Sequence, residues 1–243
     1  MKCQAYPSEA ALAAALGRTI LDTIRRLPGL VLGLPTGRTP LALYGELVRL
    51  SAQDQVDWSE VRTFNLDEFV GLAPGAPGSY RAFMQERLFR HVDIRHEHIG
   101  FLDGAASDVT AECRRYERAI AAAGGIDLLV LGIGGNGHIG FNEPAEALVA
   151  RTHLVTLDAP TRAANALWFD GDVSRVPQHA LTMGMATILA ARAIVLMATG
   201  EAKAEAVRAM LYGGVTTNVP ASFLQLHPQV QVMLDQSLAD QLP

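Results

Sequence analysis

Short apolar runs alternate with segments of helical spacing along this chain, and that alternation narrows its fold more than any other feature. Ser8 opens a predicted helix through Leu27, with Glu9 in its first turn, and Val31 to Leu34 then reads as a strand. Thr39-Pro40 opens a second helix to about Leu50, with Thr39 as N-cap and Pro40 at the first helical position. Val61 to Leu66 is a strand, and the Gly- and Pro-rich stretch from Gly71 to Gly78 is a loop. Ser79 caps a helix carrying Phe83, Leu88 and Phe89. A helix over Val109 to Ala122 precedes the apolar run Ile126 to Leu131. A strand at Ala193–Met197, a helix from Glu201 to about Leu211 and a last strand at Gln229–Leu234 complete the series. Such alternation predicts an α/β fold, a mostly parallel sheet with helices on both faces. With no Ser- or Pro-rich linker and no repeat, residues 1–243 read as a single domain. The less regular stretch 145–181 is expected to act as a lid over the site.

Bulk composition closes off several classes. The net charge of −5 comes with no basic run, so nucleic acid is not an expected partner. No apolar run reaches membrane-spanning length, and the first residues lack the apolar stretch of a signal peptide, which predicts a cytoplasmic protein away from membranes. Cys3 and Cys113 stand far apart and make neither a zinc site nor a disulfide framework. No metal or other cofactor is expected.

Four constellations follow predicted strands. The first is Gly132-Ile133-Gly134-Gly135-Asn136-Gly137-His138-Ile139-Gly140-Phe141-Asn142-Glu143-Pro144, which places an imidazole and, five residues on, a carboxylate in a glycine-rich bend. Just past a buried strand is where open α/β sheets bind ligands. The stretch also matches the dinucleotide fingerprint G-x-G-x-x-G, but Gly140 and Pro144 oppose the helix that fingerprint needs. The second is Gly33 to Pro40, where free N–H groups, the hydroxyls of Thr36 and Thr39, Gly37 and the charge of Arg38 suit an anion such as phosphate. In the third, Asp67 and Glu68 are adjacent at a strand end and point in opposite directions, so one can face a pocket while the other is structural. An acid in an apolar pocket has its pKa raised toward the working range of a general base. The fourth is Lys203, early in a helix, where an anionic ligand would explain a cation at the positive end of the dipole.

Taken together, Gly33–Pro40, Thr63–Leu72, Ser79–Met84, Gly132–Pro144, Thr161–Asn165 and Leu224–Pro228 make the chain resemble the glucosamine-6-phosphate deaminases (glucosamine-6-phosphate isomerases) over essentially its full length. The resemblance implies a modified Rossmann-like fold and conversion of glucosamine 6-phosphate and water to fructose 6-phosphate and ammonia, without metal or redox cofactor. It places the C2-to-C1 proton carrier on Asp67, the ring-opening histidine on His138, its assisting carboxylate on Glu143 and the remaining ring-opening position on Asn136. Phosphate contacts fall on Thr36, Gly37, Arg38 and Thr39 and on Lys203. The alternatives are a deaminase of another amino-sugar phosphate and a 6-phosphogluconolactonase-like lactonase. Leu167 stands where the family has a phosphate-binding arginine, while Arg38 stands where a small residue is usual. His153 and Val155 replace residues that are basic in the allosteric members, and the chain ends soon after Leu234. These departures imply a short non-allosteric type, a monomer or small homo-oligomer.

Overall fold

The computed structural model describes residues 1–243. In chain order the elements are β1 (Lys2–Tyr6), α1 (Glu9–Arg26), β2 (Val31–Leu34), α2 (Leu41–Asp54), β3 (Arg62–Asn65), β4 (Asp67–Phe69), α3 (Tyr80–Arg87), β5 (Ile99–Gly100), α4 (Val109–Ala122) and β6 (Leu128–Leu131). After these come β7 (His153–Thr156), α5 (Ala159–Asn165), β8 (His179–Thr182), α6 (Met185–Leu189), β9 (Ala193–Ala198), α7 (Ala204–Tyr212), β10 (Val230–Asp235) and α8 (Gln236–Ala239).

Seven strands form one sheet in the order β1-β10-β9-β6-β2-β3-β5, and every neighbouring pair is parallel. From the β2/β6 pair the strand order progresses outward through β3 and β5 on one side and through β9 and β10 on the other, with β1 added at the far edge, so this pair is the topological switch point where open sheets leave a crevice beyond their carboxyl ends. Alternate residues of the central strands feed opposite cores. Leu128 and Val130, with Val195 and Met197, pack with α1, α2 and α3; Leu129 and Leu131, with Ile194 and Leu196, pack with α4, α7 and α8. Two cores of 32 and 29 buried residues result, nearly equal, so the sheet is covered on both faces.

The chain leaves β3 at Asn65 and, after Leu66 alone, enters β4 of a different sheet. That second sheet is antiparallel, in the order β4-β8-β7, and pairs Asp67 with Thr182. The expected strands and the long helices α1 and α4 are found, with Ser8, Ser79 and Asp108 capping α1, α3 and α4 through their side chains. Sequence patterning missed β1, whose side chains are largely exposed at the sheet edge and carry no apolar alternation. It also missed the small sheet, whose strands are too short for a period to stand out. One helix start is displaced: α2 begins at Leu41 behind Pro40, with no side-chain cap, because Leu41 N–H closes a turn onto Arg38 C=O. Thr39 is therefore not an N-cap. No helix is long and apolar enough to cross a membrane.

Candidate active site

All strands of the large sheet are parallel, so the loops after β2, β3, β6 and β9 emerge from one edge, and these strands are neighbours in the sheet. That places the Thr36–Thr39 loop, Asp67, the Gly132–Pro144 bend and Lys203 along a single rim, spanning the switch point.

In the bend, Gly137 and Gly140 have positive φ values of 86° and 57°, which fold the chain back so that His138 C=O accepts from Gly134 N–H at 2.9 Å. The His138 ring lies directly against Gly134, where an added Cβ would come within 2.4 Å of ring atoms. His138 Nδ1 is 3.0 Å from Glu143 Oε2. The same oxygen accepts from Asn136 Nδ2 at 2.7 Å, and Oε1 accepts from the Thr161 hydroxyl at 2.6 Å. Burial acts to raise the pKa of Glu143, but the hydrogen bond and charge of His138, with the Thr161 and Asn136 donors, outweigh it and hold the carboxyl below its usual range. An ionised Glu143 only accepts, so Nδ1 is the donor toward it and Nε2 is the ring nitrogen that Glu143 leaves unengaged. Asn136 makes no hydrogen bond to the ring. It orients Glu143, and its Oδ1 accepts from His138 N–H at 3.2 Å.

The adjacent acids divide their work. Glu68 accepts from the backbone N–H groups of Phe69, Tyr80 and Arg81, each at 2.9 Å, and so anchors the first turn of α3. Burial nevertheless pushes its carboxyl up, to about 7, against the pull of those three donors. Asp67 faces the other way. Its carboxyl is buried, with burial first and the Glu68 charge second pushing it up to about 8, and no hydrogen bond lowers it. Gly140 lies next to it: a Cβ there would sit 3.8 Å from Asp67 Oδ2 and 2.9 Å from Thr182 Oγ1. A bare glycine thus separates the His138–Glu143 pair from the unpaired acid. Tyr80, stacked on Phe141 with ring centroids 6.0 Å apart, and Phe69 wall the same region.

The backbone N–H groups of Thr36 to Thr39 make no hydrogen bonds to backbone acceptors, and Gly37 has φ 99°. Arg38 is exposed and has no ion-pair partner among the salt bridges. Lys203 ends a short turn of 3-10 helix ahead of α7, and burial lowers its pKa with no carboxylate to oppose it. The free donors and a half-buried unpaired cation suit an anion. Leu167 is 44% exposed, so the structure does not turn that position inward. No group of His, Cys, Asp and Glu is arranged to hold a metal ion. A surface groove of about 740 Å³ runs along β3 and β5 past Arg62, Arg81, His98 and Arg115, and contains none of the candidate residues.

Sequence reasoning missed Thr161 and Tyr80 as neighbours of the site. The signal for the first was present. Asp158 followed by Ala159-Pro160 is a helix start, and Asp158 Oδ1 indeed accepts from Thr161 N–H at 2.7 Å.

Comparison with known proteins follows the same lines. The model of the family described as glucosamine-6-phosphate isomerases/6-phosphogluconolactonase matches residues 7–233. Glucosamine-6-phosphate deaminase 1 of Bacillus subtilis is 44% identical over 243 residues, covering 100% of this chain and 99% of that one. The glucosamine-6-phosphate deaminase of Thermoanaerobacter pseudethanolicus is 47% identical over 220 residues, 90% of this chain and 87% of its own. A solved structure described as a monomeric glucosamine-6-phosphate deaminase superposes with a TM-score of 0.96 at 43% identity, covering 99% of this chain and 100% of the other. The 6-phosphogluconolactonase of Trypanosoma brucei shares the fold alone, with a TM-score of 0.75 at 20% identity over 100% of this chain and 98% of the other.

Proposed function

Since the chain belongs to the family of glucosamine-6-phosphate isomerases and 6-phosphogluconolactonases, we propose that it is a deaminating isomerase, converting glucosamine 6-phosphate and water to fructose 6-phosphate and ammonia. The observation that carries this reading is the unpaired, buried Asp67 carboxyl next to Gly140, with the His138–Glu143 pair on the same bend. Lactone hydrolysis needs one base for water. Deaminating isomerisation needs a second group that moves a proton between two carbons, and Asp67 is that group.

In the proposed sequence His138 Nε2 takes the proton of the anomeric hydroxyl and returns it to the ring oxygen as the C1–O5 bond breaks. Glu143 stabilises the transient imidazolium, and Asn136 holds Glu143. The Asp67 carboxylate then removes the C2 proton of the open-chain aldehyde, the ammonium at C2 gives up one proton while O1 gains one to form the enaminol, and Asp67 delivers its proton to C1. The 2-imine so formed adds water at C2 and expels ammonia. A pKa of about 8 keeps free Asp67 largely protonated at neutral pH, but the amino group at C2 of bound substrate is cationic and favours the carboxylate. The N–H groups and hydroxyls of Thr36 to Thr39, with Arg38 and Lys203, would take the phosphate and fix C1 and C2 near Asp67. The whole of 1–243 acts as one domain, in which 145–181 covers the site. It works as a monomer or small homo-oligomer in the cytoplasm, without metal or redox cofactor and without nucleic-acid or membrane partners.

The test is direct. Purified protein given glucosamine 6-phosphate should release ammonia and fructose 6-phosphate in equal amounts, and Asp67→Asn should lower turnover by roughly a hundredfold or more. Hydrolysis of 6-phosphogluconolactone with no ammonia from the amino sugar would overturn the reading.

A further inference from the structure

A chain of polar contacts joins Tyr80, at the start of α3, to the Glu143 carboxylate through α5. Tyr80 Oη donates to Asn165 Oδ1 at 2.8 Å, and Asn165 Nδ2 donates to Thr161 C=O at 2.9 Å, one helical turn back. Thr161 Oγ1 donates to Glu143 Oε1 at 2.6 Å, while Glu143 Oε2 meets His138 Nδ1. Thr161 is 4% exposed, so water does not compete freely for that oxygen. Each carboxylate oxygen thereby receives its own partner, and the plane of the carboxylate is fixed from two sides. In the 3-10 turn that follows α5, Phe169 packs edge-on against Phe69 at 5.7 Å and Trp168 against Phe83 at 5.3 Å, which ties this end of the helix to β4 and α3.

We propose that Thr161 is a positioning residue for Glu143, and that Tyr80 supports it from α3 through Asn165. This rests on the deaminase reading for its kinetic consequence, though not for its geometry. Tyr80 holds Asn165, Asn165 holds the Thr161 carbonyl, and the Thr161 hydroxyl in turn holds Glu143 in line with His138. Thr161 itself touches no reacting atom.

The experiment uses the full chain with Thr161→Val, which keeps the branched shape and loses the hydroxyl, Thr161→Ser, which keeps the hydroxyl, and Asn165→Ala at a half-buried position. Exchange of the His138 Nδ1 proton with solvent is read by NMR. It should be roughly tenfold faster in Thr161→Val than in the parent, close to the parent in Thr161→Ser and intermediate in Asn165→Ala. In kinetics with glucosamine 6-phosphate, Thr161→Val should lower kcat roughly tenfold with KM within about twofold, and Thr161→Ser should recover most of it. Tyr80→Phe should lower kcat alone but add little in the Thr161→Val background, because both act through one oxygen. Unchanged proton exchange in both Thr161→Val and Asn165→Ala overturns the positioning role. Additive effects of Thr161→Val and Tyr80→Phe overturn the support from Tyr80. A parent that releases no ammonia refutes the deaminase reading, while proton exchange still decides the role of Thr161.

Discussion

Asp67→Asn should cost the enzyme its turnover and yet make the fold more stable near neutral pH. In the unfolded chain Asp67 is an ordinary carboxyl near 3.8, whereas in the folded chain burial raises it to about 8. Between those values the folded state holds a proton that the unfolded state has released. The stability this group contributes is fully present below the unfolded value and is lost as pH rises toward the folded one, by about 1.4 kcal/mol per pH unit. At pH 7 the penalty therefore amounts to about 4 kcal/mol, and at pH 5 to less than about 2 kcal/mol. Asparagine needs no proton, but its amide would lie in the same buried place without a partner, at a cost of about 1–3 kcal/mol. The variant should thus be equal to or slightly less stable than the parent at pH 5, and more stable by about 1–3 kcal/mol at pH 7. At this chain length that corresponds to a rise in Tm of roughly 3–10 °C. Guanidinium unfolding at pH 5, 6, 7 and 8 measures the difference. Glu112, Glu117 and Glu143, whose pKa values are lowered, lose their contribution as pH falls, but they do so in both chains and cancel. A variant-minus-parent difference that stays constant from pH 5 to pH 8 would refute the reasoning, for Asp67 would then titrate alike in folded and unfolded chains.

Other outcomes follow from the same geometry. Gly134→Ala puts a Cβ against the His138 ring, so turnover should fall roughly a hundredfold, while far-UV circular dichroism stays unchanged; near-normal kcat would mean that the ring is free to move. His138→Gln should depress turnover of cyclic glucosamine 6-phosphate at least roughly a hundredfold, and an open-chain analogue much less. Equal losses on both would remove ring opening from His138. Arg38→Gly should raise KM for glucosamine 6-phosphate several-fold, about 1 kcal/mol for an exposed charge, and Leu167→Arg should restore part of it in the double variant. A KM unchanged in Arg38→Gly makes that arginine a bystander. Rates should be hyperbolic in substrate and indifferent to N-acetylglucosamine 6-phosphate, since His153 and Val155 offer no fixed positive charge on β7. A sigmoidal curve abolished by that sugar phosphate would contradict this.

The residues legible in the sequence were those whose chemistry and spacing coincide. His138 and Glu143 stand five apart in a bend that only glycines can close, and Asp67 and Glu68 point apart because neighbours on a strand must. The division between those two acids was foreseeable; which of them caps α3 was not, because it depends on α3 arriving from Ser79 with its first N–H groups directed at Glu68. The helix start before Thr161 was readable, but what Thr161 and Tyr80 touch was not, for a related reason. Their importance comes from contacts spanning 18 and 85 residues, to Glu143 and Asn165 respectively, and no local period reports such distances. The small sheet escaped notice because β4 has only three residues, too few to show alternation.

The passage from one sheet to the other at Leu66 has a consequence for how the chain tolerates change. Asp67 is the first residue of the small sheet, at a junction where the ladder donors of both sheets are already spoken for by backbone partners: Leu66 C=O takes the N–H of Met183, and β4 pairs with β8. The weakness of this acid is therefore a property of the connection rather than of any one neighbour. Replacing a surrounding apolar side chain with another leaves it buried and unpaired, whereas a single-residue insertion or deletion at Leu66 reverses which of Asp67 and Glu68 faces inward. Drift in composition around the junction is compatible with the chemistry; drift in length is not.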